Sequence, residues 1–232
     1  MAQTRSFRVL LMRHGLTDDN LKGIAQGQLQ VPLNETGREQ ARELASRLAS
    51  EHLMADVIVS SDLSRAAETA QIIAAAINAP IVYDPQWRER ALGELEGRVV
   101  GVQGIWLAAM GEHTPPGAES LPQFVWRVRI ALCGLGAQHP AVATILVVAH
   151  GGPLRSILQM LHDGILPLAA GESPPEVVNI INCSVMELEC QVQEQSQRWR
   201  LIRVNDTGQK SLGALVSTTP AGAAPSPTGP QA

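Results

Sequence analysis

Short apolar runs alternate along this chain with longer segments of helical periodicity. Residues 7–12 and Thr144–Ala149 are almost wholly apolar, which is typical of strands buried on both faces of a sheet. Further strands are predicted at residues 56–60, Ile81–Tyr83, 184–188 and 200–204. Strands that alternate with helices predict an α/β fold, a three-layer sandwich with a mainly parallel central sheet flanked by helices.

Helical periodicity follows several of these strands. Ala41, Leu44 and Leu48 recur at helical spacing, and Thr36 with Glu39 predicts a capping box at the start of that helix. A second helix, with Asp62 as its expected cap, carries the apolar residues Ala66, Ala70, Ile73 and Ile77. Two more helices are predicted at residues 123–137 and 153–161.

The 232 residues are enough for one sizeable core but not for two ordinary domains. We therefore expect one domain over residues 1–205. From Asp206 the chain is rich in Gly, Ala, Ser, Thr and Pro without an apolar face, so residues 206–232 are predicted to form a disordered tail. Residues 98–121 are irregular and rich in Gly and Pro, which fits either a lid-like insertion or ordinary solvated surface.

Charge and motif content narrow the possible functions. A net charge of −4 provides no basic surface, so we expect neither a nucleic-acid nor a membrane partner. No apolar run approaches the roughly 18 residues of a membrane span, and the N-terminus lacks the features of a signal peptide, so a cytoplasmic location is expected. Motifs of nucleotide-binding loops, zinc proteases and serine hydrolases are absent. The oligomeric state cannot be deduced from these features.

Polar side chains follow three of the predicted strands. Arg13 and His14 come directly after the first strand, Arg65 comes shortly after the second, and His150 follows Thr144–Ala149. Ligands of open α/β sheets bind at the carboxyl ends of the strands, so these four side chains are predicted to meet at one edge. Arginine binds phosphate oxygens bidentately, and a neutral histidine can act as a covalent nucleophile. The pattern therefore predicts a site for a phosphate ester.

Several segments resemble, in order, the signature blocks of the histidine phosphatase superfamily, the phosphoglycerate mutase-like enzymes. They are RHGLTDDN (13–20), QGQLQVPLNETGREQA (26–41), SSDLSRAAETA (60–70), WRERALGELEG (87–97), PPGAES (115–120) and VVAHGGPLR (147–155). The resemblance spans residues 7–205 and implies a phosphoglycerate mutase-like fold and phosphoryl transfer without a metal or another cofactor.

The resemblance also implies roles for individual residues. His14 matches the histidine that is phosphorylated, and Arg13 and Arg65 match the clamp on the phosphoryl oxygens. His150, expected in its protonated form, matches the histidine that donates to the phosphate. Further phosphoryl contacts are implied for Asn20, Gln26 and the backbone amide of Gly151.

Glu89 matches the acid that protonates the leaving alcohol and later activates water. From the residues alone, however, Glu89 fits a solvated charge cluster with Arg88 and Arg90 better than a catalytic role. Two departures from the family pattern concern Leu16, where Glu or Gln is usual, and Leu95, where Trp is frequent. Neither is a reacting group, so they bear on the identity of the substrate rather than on the chemistry.

The predicted function is a phosphomonoesterase that hydrolyses a small phosphorylated metabolite through a phosphohistidine intermediate. A cofactor-dependent phosphoglycerate-type mutase is disfavoured, because the run from Glu89 to Gly93 lacks the His and Tyr that follow the acid in those enzymes. That mutase and an inactive phosphate-binding module are the two alternatives. Sugar phosphates, a phosphorylated amino acid and α-ribazole phosphate all remain open as substrates.

Overall fold

The computed structural model describes residues 5–99, 114–194 and 196–208. Its strands are β1 (Arg5–Arg13), β2 (Val57–Ser60), β3 (Ile81–Tyr83), β4 (Thr144–Ala149), β5 (Val185–Gln193) and β6 (Ser196–Asp206). They form one sheet in the order β3-β2-β4-β1-β5-β6. The first four strands in that order are parallel, whereas β5 and β6 are antiparallel to their neighbours. The prediction of a mainly parallel sheet is confirmed.

The helices are α1 (Asp18–Lys22), α2 (Glu35–Ser50), α3 (Ser64–Ile77), α4 (Leu121–Gln138) and α5 (Gly151–His162). Short 3-10 helices span Pro85–Trp87 and Gly93–Leu95. No helix among the described residues has both the length and the apolarity needed to cross a membrane.

Two apolar cores lie on opposite faces of the sheet, because successive residues of a strand point to opposite sides. Val9 and Leu11 of β1 pack into one core with α4 and α5. Leu10 and Met12 of the same strand pack into the other core with α2 and α3. Helices therefore cover both faces, which confirms the three-layer sandwich. Because β4 is buried along its whole length, it can be apolar on both faces, as its sequence predicts.

Two predicted helix caps are wrong. Helix α2 is capped by Asn34, whose side chain accepts a hydrogen bond of 2.8 Å from the Gly37 amide, so the Thr36–Glu39 capping box does not form. Asp62 does not cap α3 either, since it forms two hydrogen bonds with Arg88 from the neighbouring loop. A neighbouring residue thus provides the cap of α2, whereas Asp62 has a partner 26 residues away.

The boundaries of the domain and its tail remain predictions. Strand β6 continues to Asp206, one residue into the predicted tail. Residues 209–232 lie outside the described part of the chain, as do residues 100–113 of the predicted lid.

Candidate active site

The carboxyl ends of β1 and β4 bring two histidines together. His14 follows β1, His150 follows β4, and their ring centroids are 5.1 Å apart. Both rings are buried, with exposed fractions of 3% and 0%. The parallel pairing of the two strands thus produces the convergence that the sequence predicts.

His14 is held in the tautomer that suits a nucleophile. Its Nδ1 lies 2.7 Å from the carbonyl oxygen of Gly15. A carbonyl can only accept, so Nδ1 carries the proton and the Nε2 lone pair is free. Burial lowers the pKa of His14 well below its usual value, and the positive charges of Arg65 and Arg13 lower it further. The ring is therefore neutral at pH 7.

The backbone around His14 is fixed by side chains that sequence reasoning missed. The side-chain amide of Asn182 donates to the backbone carbonyl of His14 at 2.8 Å. The backbone amide of Gly15 donates to the hydroxyl of Thr69 at 3.1 Å. A Cβ on Gly15 would lie 2.4 Å from the carbonyl oxygen of Gly37, so the first turn of α2 packs directly on this loop. Asn182 precedes β5 and carries no sequence signal, whereas Thr69 lies within the recognised block at residues 60–70.

His150 has one nitrogen bound and one without a partner. Its Nε2 lies 2.8 Å from the hydroxyl of Ser61, and its buried Nδ1 has no hydrogen-bond partner among the described residues. Burial lowers the pKa of His150 well below its usual value, and Arg65 adds to this effect. The ring is thus neutral at pH 7, in contrast to the protonated ring expected from the sequence. A neutral ring still offers one N–H donor.

The two predicted arginines keep donors available beside these rings. Arg65 donates to the carbonyls of Leu29 and Gly27, both at 2.8 Å, and Arg13 donates to the carbonyl of Ile180 at 2.6 Å. The buried Nε of each arginine has no partner within the described ranges. Burial lowers the pKa of both guanidinium groups, that of Arg65 to about 10, which leaves both charged at pH 7. Buried donors without partners are rare, and an anion would satisfy them.

Glu89 reaches the start of α5 rather than a solvated charge cluster. Its Oε2 accepts from the Gly152 amide and its Oε1 from the Arg90 amide, both at 2.9 Å. Arg88 pairs with Asp62, and Arg90 is only 5% exposed. The negative charge of the Glu89 carboxylate acts to raise the pKa values of Arg13 and Arg65. Burial, which lowers both pKa values, has the larger effect.

The three remaining predicted contacts, Gln26, Asn20 and Gly151, have different surroundings. Gln26 is 8% exposed, and its side-chain oxygen has no partner in the part of the chain that is described. Asn20 accepts from the Thr17 amide at 3.2 Å and so forms part of the capping box of α1. Gly151 opens α5, where an added Cβ would meet the Arg13 guanidinium at 3.5 Å, an ordinary contact. No group of three or more metal-ligating side chains is placed to hold a metal among the described residues.

Residues 9–207 match the sequence profile of the histidine phosphatase superfamily, branch 1. The chain belongs to this superfamily. Phosphoglycerate mutase-like protein 4 of Arabidopsis thaliana is 37% identical over 187 residues, 76% of each chain. Putative phosphoserine phosphatase 2 of Hydrogenobacter thermophilus is 35% identical over 162 residues, 66% of this chain and 78% of that protein.

A solved phosphatase structure has the same fold. The mycobacterial glucosyl-3-phosphoglycerate phosphatase in complex with VO3 is 28% identical and superposes with a TM-score of 0.69, covering 86% of this chain and 99% of that one. The superfamily includes relatives named as phosphatases and relatives named as mutases. Membership therefore supports a phosphatase without settling the substrate.

Proposed function

We propose that the protein is a metal-independent phosphomonoesterase that hydrolyses a small phosphorylated metabolite through a phosphohistidine on His14. The observation that carries this proposal is the state of His14, a buried neutral ring with its proton on Nδ1. Beside it, Arg13 and Arg65 each keep a buried Nε donor without a partner among the described residues. This arrangement supplies a nucleophile and two fixed charges for the phosphoryl oxygens.

In the first step, Nε2 of His14 attacks phosphorus in line with the leaving alcohol. The N–P bond forms as the P–O bond breaks, and Glu89, which enters this step with its proton, gives it to the departing oxygen. The Gly15 carbonyl stabilises the cationic phosphohistidine through the Nδ1–H it already binds. Arg13 and Arg65 stabilise the charge on the equatorial oxygens.

In the second step, water attacks the phosphohistidine. The Glu89 carboxylate takes the proton of the attacking water, the N–P bond breaks, and His14 returns to its neutral form. Inorganic phosphate then leaves. The hydrogen bond from the Gly152 amide holds the carboxylate of Glu89 for both proton transfers.

His150 can serve as a neutral donor in both steps. When the Ser61 hydroxyl donates to Nε2, the proton of the ring lies on Nδ1, the buried nitrogen without a partner among the described residues. That N–H can then donate to a phosphoryl oxygen. We propose three further contacts to the phosphoryl oxygens, from Asn20, the backbone amide of Gly151 and the side-chain amide of Gln26. The Gln26 amide is rotated so that its nitrogen faces the phosphate.

The test is to trap the intermediate. Wild-type protein quenched rapidly during turnover should carry a phosphoryl group that survives alkali and is lost in acid, and His14→Ala should show neither the adduct nor turnover. An adduct on serine or aspartate would overturn the mechanism. A screen of phosphorylated metabolites with released phosphate as the readout would identify the substrate.

A mutase remains the alternative, because relatives such as the one from Proteus mirabilis are named as probable phosphoglycerate mutases. In this chain Ala91 and Leu92 stand where cofactor-dependent mutases carry His and Tyr, and Leu92 forms a β-bridge with Ala118 instead. A mutase activity stimulated by a bisphosphorylated primer would favour the alternative over hydrolysis.

A further inference from the structure

The segment that carries Glu89 has no regular secondary structure to hold it. It follows the 3-10 helix Pro85–Trp87, and residues 88–90 belong to neither a helix nor a strand. A proton donor nevertheless needs a fixed position, because a displacement of about 1 Å at a reacting group can cost about 10²-fold in rate. Other parts of the molecule must therefore fix this backbone.

Arg127 of α4 binds this segment through its guanidinium. Its Nη1 donates to the carbonyls of Gln86 at 2.6 Å and Arg88 at 3.0 Å, and its Nη2 donates to the carbonyl of Glu89 at 3.3 Å. Gln28 adds a bond of 3.1 Å to the same Glu89 carbonyl. Arg127 thus binds three backbone carbonyls in the segment that carries Glu89.

Glu119 fixes the guanidinium in turn. The carboxylate of Glu119 accepts from Nε at 2.9 Å and from Nη2 at 2.7 Å, a bidentate pair. The two side chains are only 20% and 17% exposed, so water screens the pair weakly. The backbone of Glu119 also forms hydrogen bonds with this segment. Its carbonyl accepts from Nε of Arg90, and its amide donates to the carbonyl of Ala91. The Arg127–Glu119 pair therefore links the N-terminal part of α4 to the segment that carries Glu89.

We infer that Arg127, oriented by Glu119, is a positioning residue that fixes Glu89 for proton transfer. It acts through the backbone of the segment rather than by touching the phosphoryl group. Its planar fork of donors suits this task, because three carbonyls and a carboxylate must be bound at once. Lysine, with a single nitrogen, cannot reproduce that set of bonds. The inference rests on the proposed role of Glu89.

Replacing Arg127 should impair the steps that need the acid. We expect Arg127→Met to lower the rate of phosphohistidine formation about 10- to 10²-fold for an alkyl phosphate, whose leaving group must be protonated. The loss should be several-fold smaller for p-nitrophenyl phosphate, whose leaving group scarcely needs a proton. The affinity for inorganic phosphate should change little, because the phosphate clamp is intact. Arg127→Lys should not rescue the alkyl phosphate, and Glu119→Gln should show a milder form of the same pattern.

The matched control is Arg129→Met on the same helix. Arg129 packs over the exposed ring of Trp126, 5.7 Å from its centroid, and forms no hydrogen bond or ion pair with a site residue in the described part of the chain. It should leave both substrates unaffected. If Arg127→Met is too unstable to assay, Glu119→Gln carries the test, because it keeps the side chain's shape while removing its charge.

A double-variant comparison separates this inference from the proposed function. In a Glu89→Gln background, Arg127→Met should cause almost no further loss, because the group it positions is already absent. Equal losses for both leaving groups, or a full additional loss in that background, would overturn the positioning role while Glu89 keeps its own. If Glu89→Gln itself shows no dependence on the leaving group, Glu89 is not the acid and the inference falls with it, whereas trapping phosphate on His14 still tests the nucleophile.

Discussion

Replacing Gly152 with alanine places a carbon where the carboxylate of Glu89 lies. The added Cβ would be 1.9 Å from Oε1, 2.8 Å from the carboxyl carbon and 3.1 Å from Oε2. A carbon and an oxygen that are not bonded do not approach closer than about 3 Å. The Glu89 carboxylate must therefore move away by roughly 1 Å and lose its hydrogen bond to the Gly152 amide. Because Glu89 is half-buried, its side chain can swing away while the fold remains intact.

The expected cost follows from that displacement. A shift of about 1 Å corresponds to about 10²-fold in rate, or roughly 2.7 kcal/mol at 1.36 kcal/mol for each factor of ten. The rate of phosphohistidine formation should fall by this factor for an alkyl phosphate and far less for p-nitrophenyl phosphate. Rapid quenching with p-nitrophenyl phosphate should show phosphohistidine that forms normally and hydrolyses slowly.

A second glycine of the chain provides the control for this substitution. Gly134→Ala on α4 adds a methyl group that, among the described residues, meets only the flexible end of Gln138, at 3.3 Å, and should leave both rates unchanged. Phosphohistidine formation at the wild-type rate in Gly152→Ala, or an equal loss of that rate for both substrates, would show that the contact with Glu89 does not control the proton transfer.

Two further predictions concern the electrostatics of the site. Activity should persist after exhaustive chelation, since Arg13 and Arg65 supply the positive charge, and a loss reversed by added magnesium or zinc would contradict the mechanism. His14 and His150 have folded-state pKa values below the unfolded value of about 6.5, so their stabilising contribution is present above pH 6.5 and is lost as pH falls towards the folded values. Denaturant titrations should show a lower free energy of unfolding at pH 5.5 than at pH 7.5. A variant with both rings replaced by glutamine should show a smaller difference, and an equal difference would refute the lowered pKa values.

The sequence predicted those features that follow from burial and strand order. Thr144–Ala149 is apolar because both of its faces are covered, and His14 and His150 meet because their strands are parallel neighbours. Asn34 illustrates what the sequence could not decide, because several nearby residues could cap α2 and the choice depends on packing.

The setting of Glu89 was also beyond a reading of the sequence. The spacing of charges around it is equally compatible with solvent exposure. Its environment is created by Gly152 and Arg127, which lie 63 and 38 residues away along the chain. Only the tertiary fold brings the three together, so local pattern could suggest the acid but not the groups that hold it.

The central place of β1 in the sheet also bears on how the site comes into being during synthesis. Arg8 pairs with Thr144 on one side and with Glu189 on the other, so both neighbours of this strand lie far along the chain. On the ribosome, β1 therefore emerges long before either neighbour, and a nascent chain cannot complete the nucleophile's surroundings until β5 is released. Pairings this distant also slow folding and leave an apolar strand unpaired in the meantime. Chaperone dependence and refolding yield should accordingly be more sensitive to changes in β5 than its distance along the chain from His14 would suggest.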